Sequence, residues 1–299
     1  MPENTDARKA RKATAVASAP PLPEPLSVPV ADSHTHLDMQ TAFSPTAGGE
    51  GGEGDRTVAE ALAKAASVGV TTVIQVGCDL ERSRWSARIA AEHQDVWAAV
   101  ALHPNEAPRL GGRLDAAIDE IAALAALPQV RAVGESGLDY FRTGEDGVAA
   151  QHHSFRRHID IAKRQGKALV IHDREAHADV LRILDEEGAP DFVVFHCYSG
   201  DAGMAKLCAD KGYHMSFAGN VTYKSAQNLR DAVAVAPAEL LLVETDAPFL
   251  TPVPHRGHPN APYLIPVTLR AMAAAKRMDE DELAAAIGVN TARVFGCGA

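Results

Sequence analysis

Eight short runs rich in β-branched residues recur along the chain, each separated from the next by a longer Ala- and Leu-rich segment decorated with charge. The runs are "VPVADSHTHLD", "TTVIQVGC", "VWAAVALHP", "VRAVGES", "ALVIHDR", "FVVFHCYSG", "GYHMSFAGN" and "LLLVETDAP". Between them, segments such as "TVAEALAKAASVG", "ERSRWSARIAAEHQ", "LDAAIDEIAALAAL", "QHHSFRRHIDIAKRQG" and "EAHADVLRILDEEG" space apolar residues at three and four, as amphipathic helices do. Such alternation is expected of βα units carrying a parallel sheet. Eight of them in 299 residues predict an α/β fold of the TIM (β/α)8 barrel type. A doubly wound open sheet uses the same units, but no glycine-rich phosphate turn follows the first strand, so a dinucleotide site gains no support.

The chain is 46% hydrophobic, enough for one large core, and residues 30–299 are read as a single barrel domain. Residues 1–29 are rich in Ala and Pro, carry a basic cluster (Arg8, Lys9, Arg11, Lys12) and lack the apolar stretch of a secretory signal. They are read as a disordered tail. Residues 41–57 form a glycine-rich acidic loop on the C-terminal side of the first strand, the catalytic side of such a barrel, as a lid or as a solvated insertion. Residues 251–262 form a proline-dense loop that carries Arg256, His258 and Asn260.

A formal net charge of −10 and a pI near 5.7 argue against a general basic coat for nucleic acid, so any anionic substrate must be met locally. Four cysteines (Cys78, Cys197, Cys208, Cys297) form no CxxC pair, which fits a reducing cytoplasm and a role as small hydrophobes. No run of about 18 apolar residues offers a membrane span.

Alternate residues of a strand share a face, so His34 and His36 point the same way. Alone, that pair is either a metal site or a structural couple. Glu135, His172, His196 and Asp246 then fall at the C-terminal ends of strands four, five, six and eight. In a TIM barrel those ends converge on one mouth, which makes a common metal site the economical reading. Four imidazoles and two carboxylates suit Zn²⁺, Mn²⁺ or Mg²⁺. Six donors are many for one catalytic ion; two divalent ions use them better, with His34, His36 and Asp246 on one, His172 and His196 on the other, and Glu135 between. Two such ions outweigh the carboxylates and a hydroxide, leaving a cationic pocket suited to hydrolysis at phosphorus.

Glu135, Asp246 and Glu244 are the candidate catalytic residues. Glu244 shares the inward face of Asp246 and would orient a ligand or take a proton, and Asp246 could double as general base. Asp139 and Tyr140 are hydrogen-bonding supports. Candidate substrate contacts are His103, Asn105, Arg174, Asn220, Tyr223, Arg256 and Asn260, which bring cationic or amide groups to the loops. Cys197 should face away from the mouth by strand parity.

Taken together, "DSHTHLD", "LHP", "GESGLDY", "QxxxF" from Gln151 to Phe155, "IHDR", "FHCYSG", "ETDAPFL", "RGHPNAP" and "NTARVF" resemble the TatD family of metal-dependent deoxyribonucleases over nearly all of residues 30–295. The resemblance implies metal positions at His34, His36, Glu135, His172, His196 and Asp246. It also implies DNA as substrate, attack from single-stranded or frayed 3′ ends, and Mg²⁺ as the working ion; a monomer is assumed. Two departures concern substrate handling: Asn105 stands where a second histidine often follows the proline, and His258 and Ala261 stand where Lys and Glu are frequent. Other chemistries on such a barrel are a small-molecule amidohydrolase or lactonase and an ester hydrolase acting on aminoacyl-tRNA. A carbamylated lysine usual in the former is replaced here by Glu135. A non-catalytic metal scaffold is a further alternative.

Overall fold

The computed structural model describes residues 19–40 and 53–297. Eight parallel strands follow one another in sequential order: β1 (Val30–Thr35), β2 (Val70–Gly77), β3 (Val96–Val100), β4 (Val130–Asp139), β5 (Ala168–Arg174), β6 (Val193–Phe195), β7 (His214–Phe217) and β8 (Leu241–Val243). The ring closes just beyond β8, where Ala247 bridges Thr35, the His36 N–H donates to Ala247 O at 2.9 Å, and the Asp246 N–H donates to His34 O at 2.9 Å. This is the expected TIM barrel.

The helices are α1 (Leu37–Gln40), α2 (Glu53–Ala66), α3 (Leu80–Glu92), α4 (Ala107–Leu110), α5 (Leu114–Ala125), α6 (Glu145–Gln165), α7 (His177–Glu187), α8 (Ala202–Asp210), α9 (Gln227–Val235), α10 (Ile265–Lys276) and α11 (Glu280–Phe295). Asp79 and Asp201 cap α3 and α8 by accepting the backbone N–H of Arg82 and Met204. Helix α6 begins six positions before the expected "QHH" start, since Gly144 precedes it and Glu145 and Asp146 favour the positive end of its dipole. Among the described residues, no helix is long and apolar enough to cross a membrane.

Strand alternation divides the core into two layers. Ile74, Val76, Ala99, Ala132, Ala168, Val170, Val194 and Leu242 fill the barrel interior, with Val294 and Phe295 of α11 against them. The opposite faces of the strands pack on the helices through residues such as Val73, Val100, Val133, Leu169 and Val243. The inward parity of Val170, Val194 and Leu242, continued by two residues, carries His172, His196 and Glu244 to the mouth.

The N-terminal expectation changes. Residues 1–18 lie outside the described residues, but residues 19–29 run along the barrel instead of forming part of a disordered tail. Leu26 is buried and its N–H donates to Val68 O, while Pro20 O accepts the Tyr263 hydroxyl at 2.8 Å. Gly69, at φ +87°, makes room: a Cβ there would stand 3.0 Å from Leu26 Cβ. The glycine-rich loop expected over residues 41–57 lies outside the described residues from 41 to 52, and α2 already begins at Glu53.

Candidate metal centre

Donor atoms from five strands meet at the barrel mouth. His34 Nε2 lies 3.3 Å from His36 Nε2, 3.6 Å from Glu135 Oε1 and 3.9 Å from Asp246 Oδ1. His36 Nε2 lies 3.6 Å from Glu135 Oε1 and 3.4 Å from Asp246 Oδ1. The other Glu135 oxygen, Oε2, stands 2.8 Å from His196 Nε2 and 3.1 Å from His172 Nδ1, and those two nitrogens are 3.5 Å apart. The carboxylate of Glu135 thus turns one oxygen to each of two donor sets.

Both sets fit a divalent ion. With bonds of about 2.0–2.2 Å, neighbouring donors on one ion stand roughly 3.0–3.6 Å apart, the range these separations cluster in. The outer nitrogens decide the tautomers. His36 Nδ1–H donates to Val76 O at 3.1 Å, His172 Nε2–H to Asp139 Oδ2 at 3.2 Å, and His196 Nδ1–H to Glu244 Oε1 at 3.3 Å. Burial lowers the pKa of His36, His172 and His196, but their acidic neighbours raise it further, so a proton or a divalent ion can sit between each inner nitrogen and its carboxylate oxygen. His34 is fully buried, and its Nδ1 has no hydrogen-bond partner among the described residues.

His103 also approaches, with Nε2 3.7 Å from Glu135 Oε2. Its Nδ1 accepts the Asn105 N–H at 3.0 Å, so the neutral ring carries its proton on Nε2. Burial holds its pKa down to about 3, against the pull of Glu135, and the ring stays neutral at physiological pH. His103 is thereby a hydrogen-bond donor facing the mouth rather than a second-set ligand.

Burial disfavours charge on Glu135, but the His196 ring and hydrogen bonds from His172 and His196 outweigh it and hold the carboxyl well below its usual range. Asp246 behaves alike: burial raises its pKa, while His36 and His34 pull it below the ordinary value. Asp32, beneath them, is the contrast. Burial pushes its pKa up to about 8 despite hydrogen bonds from the Thr245 hydroxyl and from the Thr245 and His34 N–H groups.

Two supports were foreseen and one was not. Glu244 Oε1 accepts the Cys197 N–H at 2.7 Å as well as the His196 ring, and its full burial makes it an orienting group. Asp139 accepts from His172, from Asn105 Nδ2 at 3.0 Å and from the Arg142 N–H at 2.8 Å. Cys78, read from sequence as a small hydrophobe, has Sγ 3.4 Å from Glu135 Oε1 and 3.8 Å from His36 Nδ1. The signal was available: Cys78 continues the inward parity of Ile74 and Val76. Tyr140, expected among the supports, turns outward instead, where its hydroxyl donates to Asp179 Oδ2 at 2.7 Å.

The substrate candidates separate. Asn260 is buried, with Nδ2 donating to Thr245 O and Phe249 O and Oδ1 accepting the Ala261 N–H, so it fastens the last loop and has no group left for substrate. Asn105 is likewise engaged, by Asp139 and by the Thr143 hydroxyl. The Tyr223 hydroxyl donates to Thr251 O at 3.1 Å, leaving its ring face under the Arg256 guanidinium at 4.2 Å. Arg174 lies over the Phe141 ring at 3.9 Å. Asn220 Nδ2 comes within 4.0 Å of Cys197 Sγ.

A parallel barrel with imidazoles and carboxylates gathered at the C-terminal mouth defines a metal-dependent hydrolase of the TIM-barrel type. Within that class the chain belongs to the TatD-related DNase family, whose model matches residues 31–296. It is 46% identical over 271 residues to an uncharacterized metal-dependent hydrolase TatD of Mycobacterium tuberculosis, covering 89% of this chain and 98% of that protein. It is 32% identical over 244 residues to a protein of Citrobacter rodentium named 3'-5' ssDNA/RNA exonuclease TatD, covering 79% of this chain and 91% of that one. Among solved structures, YJJV, a TatD homologue from Escherichia coli, superposes with a TM-score of 0.78 at 28% identity, over 90% of this chain and 98% of the other.

Proposed function

We propose that the protein is a phosphodiesterase that removes nucleotides from single-stranded or frayed 3′ ends of DNA, with two divalent ions, Mg²⁺ in use, shared through Glu135. The observation that carries this reading is the division of the Glu135 carboxylate between the His34–His36–Asp246 set and the His172–His196 set. Ions bound there would supply Lewis acidity, acidifying water and offsetting the charge that builds on phosphate oxygens. The relative from Citrobacter rodentium supports a nucleic-acid substrate.

The chain's own groups have distinct parts in this reaction. Asp246, held ionised at the mouth, accepts the proton of the attacking water at a carboxylate oxygen as the new O–P bond forms, while the P–O bond to the 3′ oxygen of the preceding nucleotide breaks and that oxygen takes its proton from solvent. Glu244 and Asp139 hold the His196 and His172 rings in one tautomer and one orientation. His103 Nε2–H, neutral and pointed inward, donates to a non-bridging phosphate oxygen. Arg174 and Arg256 meet flanking phosphates, which lets an acidic protein bind a polyanion at one place only.

The test uses protein stripped of metal and resupplied with Mg²⁺, Mn²⁺ or Zn²⁺, incubated with 3′- and 5′-labelled single-stranded and duplex DNA. Stepwise shortening from the 3′ end of single strands is the expected result. No cleavage with any ion, together with hydrolysis of a lactone or an aminoacyl ester, would remove the proposal.

A further inference from the structure

Two large aromatic rings stand open at the mouth. Phe141, just past the end of β4, is 57% exposed and Phe249, in the loop after β8, is 51% exposed, whereas Phe155, Phe195 and Phe217 are at most 1% exposed. Burying such a ring is normally favourable by about 2 kcal/mol, so leaving two beside a polar centre needs a reason. Phe141 has the Arg174 guanidinium over its ring at 3.9 Å, and Arg174 ends the strand that carries His172. Phe249 packs edge-on against His36, with ring centroids 6.3 Å apart, and follows Asp246 by three residues. Each ring is therefore fixed to an element that also positions a proposed metal donor.

The sequential ring of strands sets β4 and β5 across the barrel from β8 and β1, so the two rings flank the donor atoms from opposite sides. The accompanying cations are unusual for this acidic chain. Arg156, Arg157 and Arg182 each reach two carboxylates, but among the described residues neither Arg174 nor Arg256 forms an ion pair with one. Arg256 lies instead over Tyr223. An open ring beside a guanidinium free of carboxylates is matched by an unstacked base followed by its phosphate, and Phe141 with Arg174 presents that combination.

We infer that Phe141 and Phe249 are stacking platforms for unpaired nucleobases, holding a single strand across the metal centre by its bases as well as its phosphates. The inference deepens the phosphodiesterase reading and rests on it. It also supplies a physical basis for strand selectivity: in a duplex both faces of an interior base are already stacked, so neither ring can reach one.

The experiment measures binding of the full chain in Mg²⁺ to a fluorescent, cleavage-resistant phosphorothioate oligothymidylate and to the same backbone made of abasic units. The base-bearing strand should bind about tenfold more tightly, as loss of one stacked base costs on the order of 1–3 kcal/mol. Phe141→Ala and Phe249→Ala should each bring the ratio between the two strands toward one, and Phe141→Trp should restore it. Because Phe141 is exposed, its replacement leaves the core intact. Equal affinity of the wild type for the two strands, or a full ratio in both alanine variants, overturns the inference. Hydrolysis of bis(p-nitrophenyl) phosphate, which has no base to stack, separates the two ideas. Turnover of that ester with a ratio of one removes the stacking inference alone, while inertness toward both ester and DNA removes the phosphodiesterase reading.

Discussion

Glu135 Oε2 lies 2.8 Å from His196 Nε2, while Oε1 of the same carboxylate faces His34 and His36 at 3.6 Å. One side chain therefore belongs to both donor sets, and its loss should be felt at both. Glu135→Ala is expected to weaken metal binding at the two sites together, by at least about 10–100-fold each, and to abolish hydrolysis. Elemental analysis after dialysis against graded ion concentrations checks this. Full occupancy of either set would show that the carboxylate does not bridge.

Asp139 tests the support of the His172 ring without removing a donor from either set. In Asp139→Asn an amide can offer its N–H to His172 Nε2, which favours the tautomer with the proton on Nδ1, facing Glu135. A loss of roughly 10–100-fold in metal affinity or activity is expected. The isotherm for metal binding distinguishes this from a general loss of fold, which circular dichroism would report.

His158 supplies a pH dependence from outside the two donor sets. It is fully buried, its Nδ1–H donates to Ser154 O at 2.7 Å, and its Nε2 accepts the Leu102 N–H at 3.1 Å. Burial depresses its pKa to about 4, from 6.5 when unfolded. Between those values the unfolded chain binds a proton that the folded chain refuses, so stability falls as pH drops from 6.5 toward 4. The loss from this group amounts to about 3 kcal/mol at the acid end, by the relation of one pKa unit to roughly 1.4 kcal/mol. Denaturant titrations at several pH values should show a shallower acid slope in His158→Gln; an identical slope would refute the assignment.

Asn260 is predicted to matter for stability and not for recognition. Asn260→Ala strips the Thr245 and Phe249 carbonyls of a buried donor and should cost about 1–3 kcal/mol. A variant with normal stability and a raised KM for oligonucleotide would return it to the substrate contacts.

Gly137, at φ +142°, lies against β5 so closely that a Cβ would sit 2.1 Å from His172 O. Gly137→Ala must separate β4 from β5, the strands that carry Glu135 and His172. A lowered unfolding midpoint together with weaker metal binding is expected; unchanged values for both would mean that the strands tolerate the added carbon.

Much of this protein is legible in its residue pattern. Period-two runs mark the strands and three-and-four spacing marks the helices, because each period records which face must leave water. The positions of His172, His196 and Asp246 at strand ends follow from that same parity. Glu135 does not: inward Ala132 would place Gly134 and Ser136 inside, and only the register shift between Val133 and Ser136 brings Glu135 to the mouth. The sequence likewise offered Asn105 and Asn260 as substrate contacts, since an amide looks the same whether free or saturated. Their hydrogen bonds come from groups distant along the chain.

By itself, then, the sequence determined the eight βα units and the set of metal-capable side chains at their ends, through local periodicity and strand parity. Only the closed barrel decided that Glu135 divides its oxygens between two sets, that His103 donates a proton instead of a lone pair, and that Cys78 stands beside Glu135. Those facts depend on distances between strands, which ring closure and strand register set and no single segment contains.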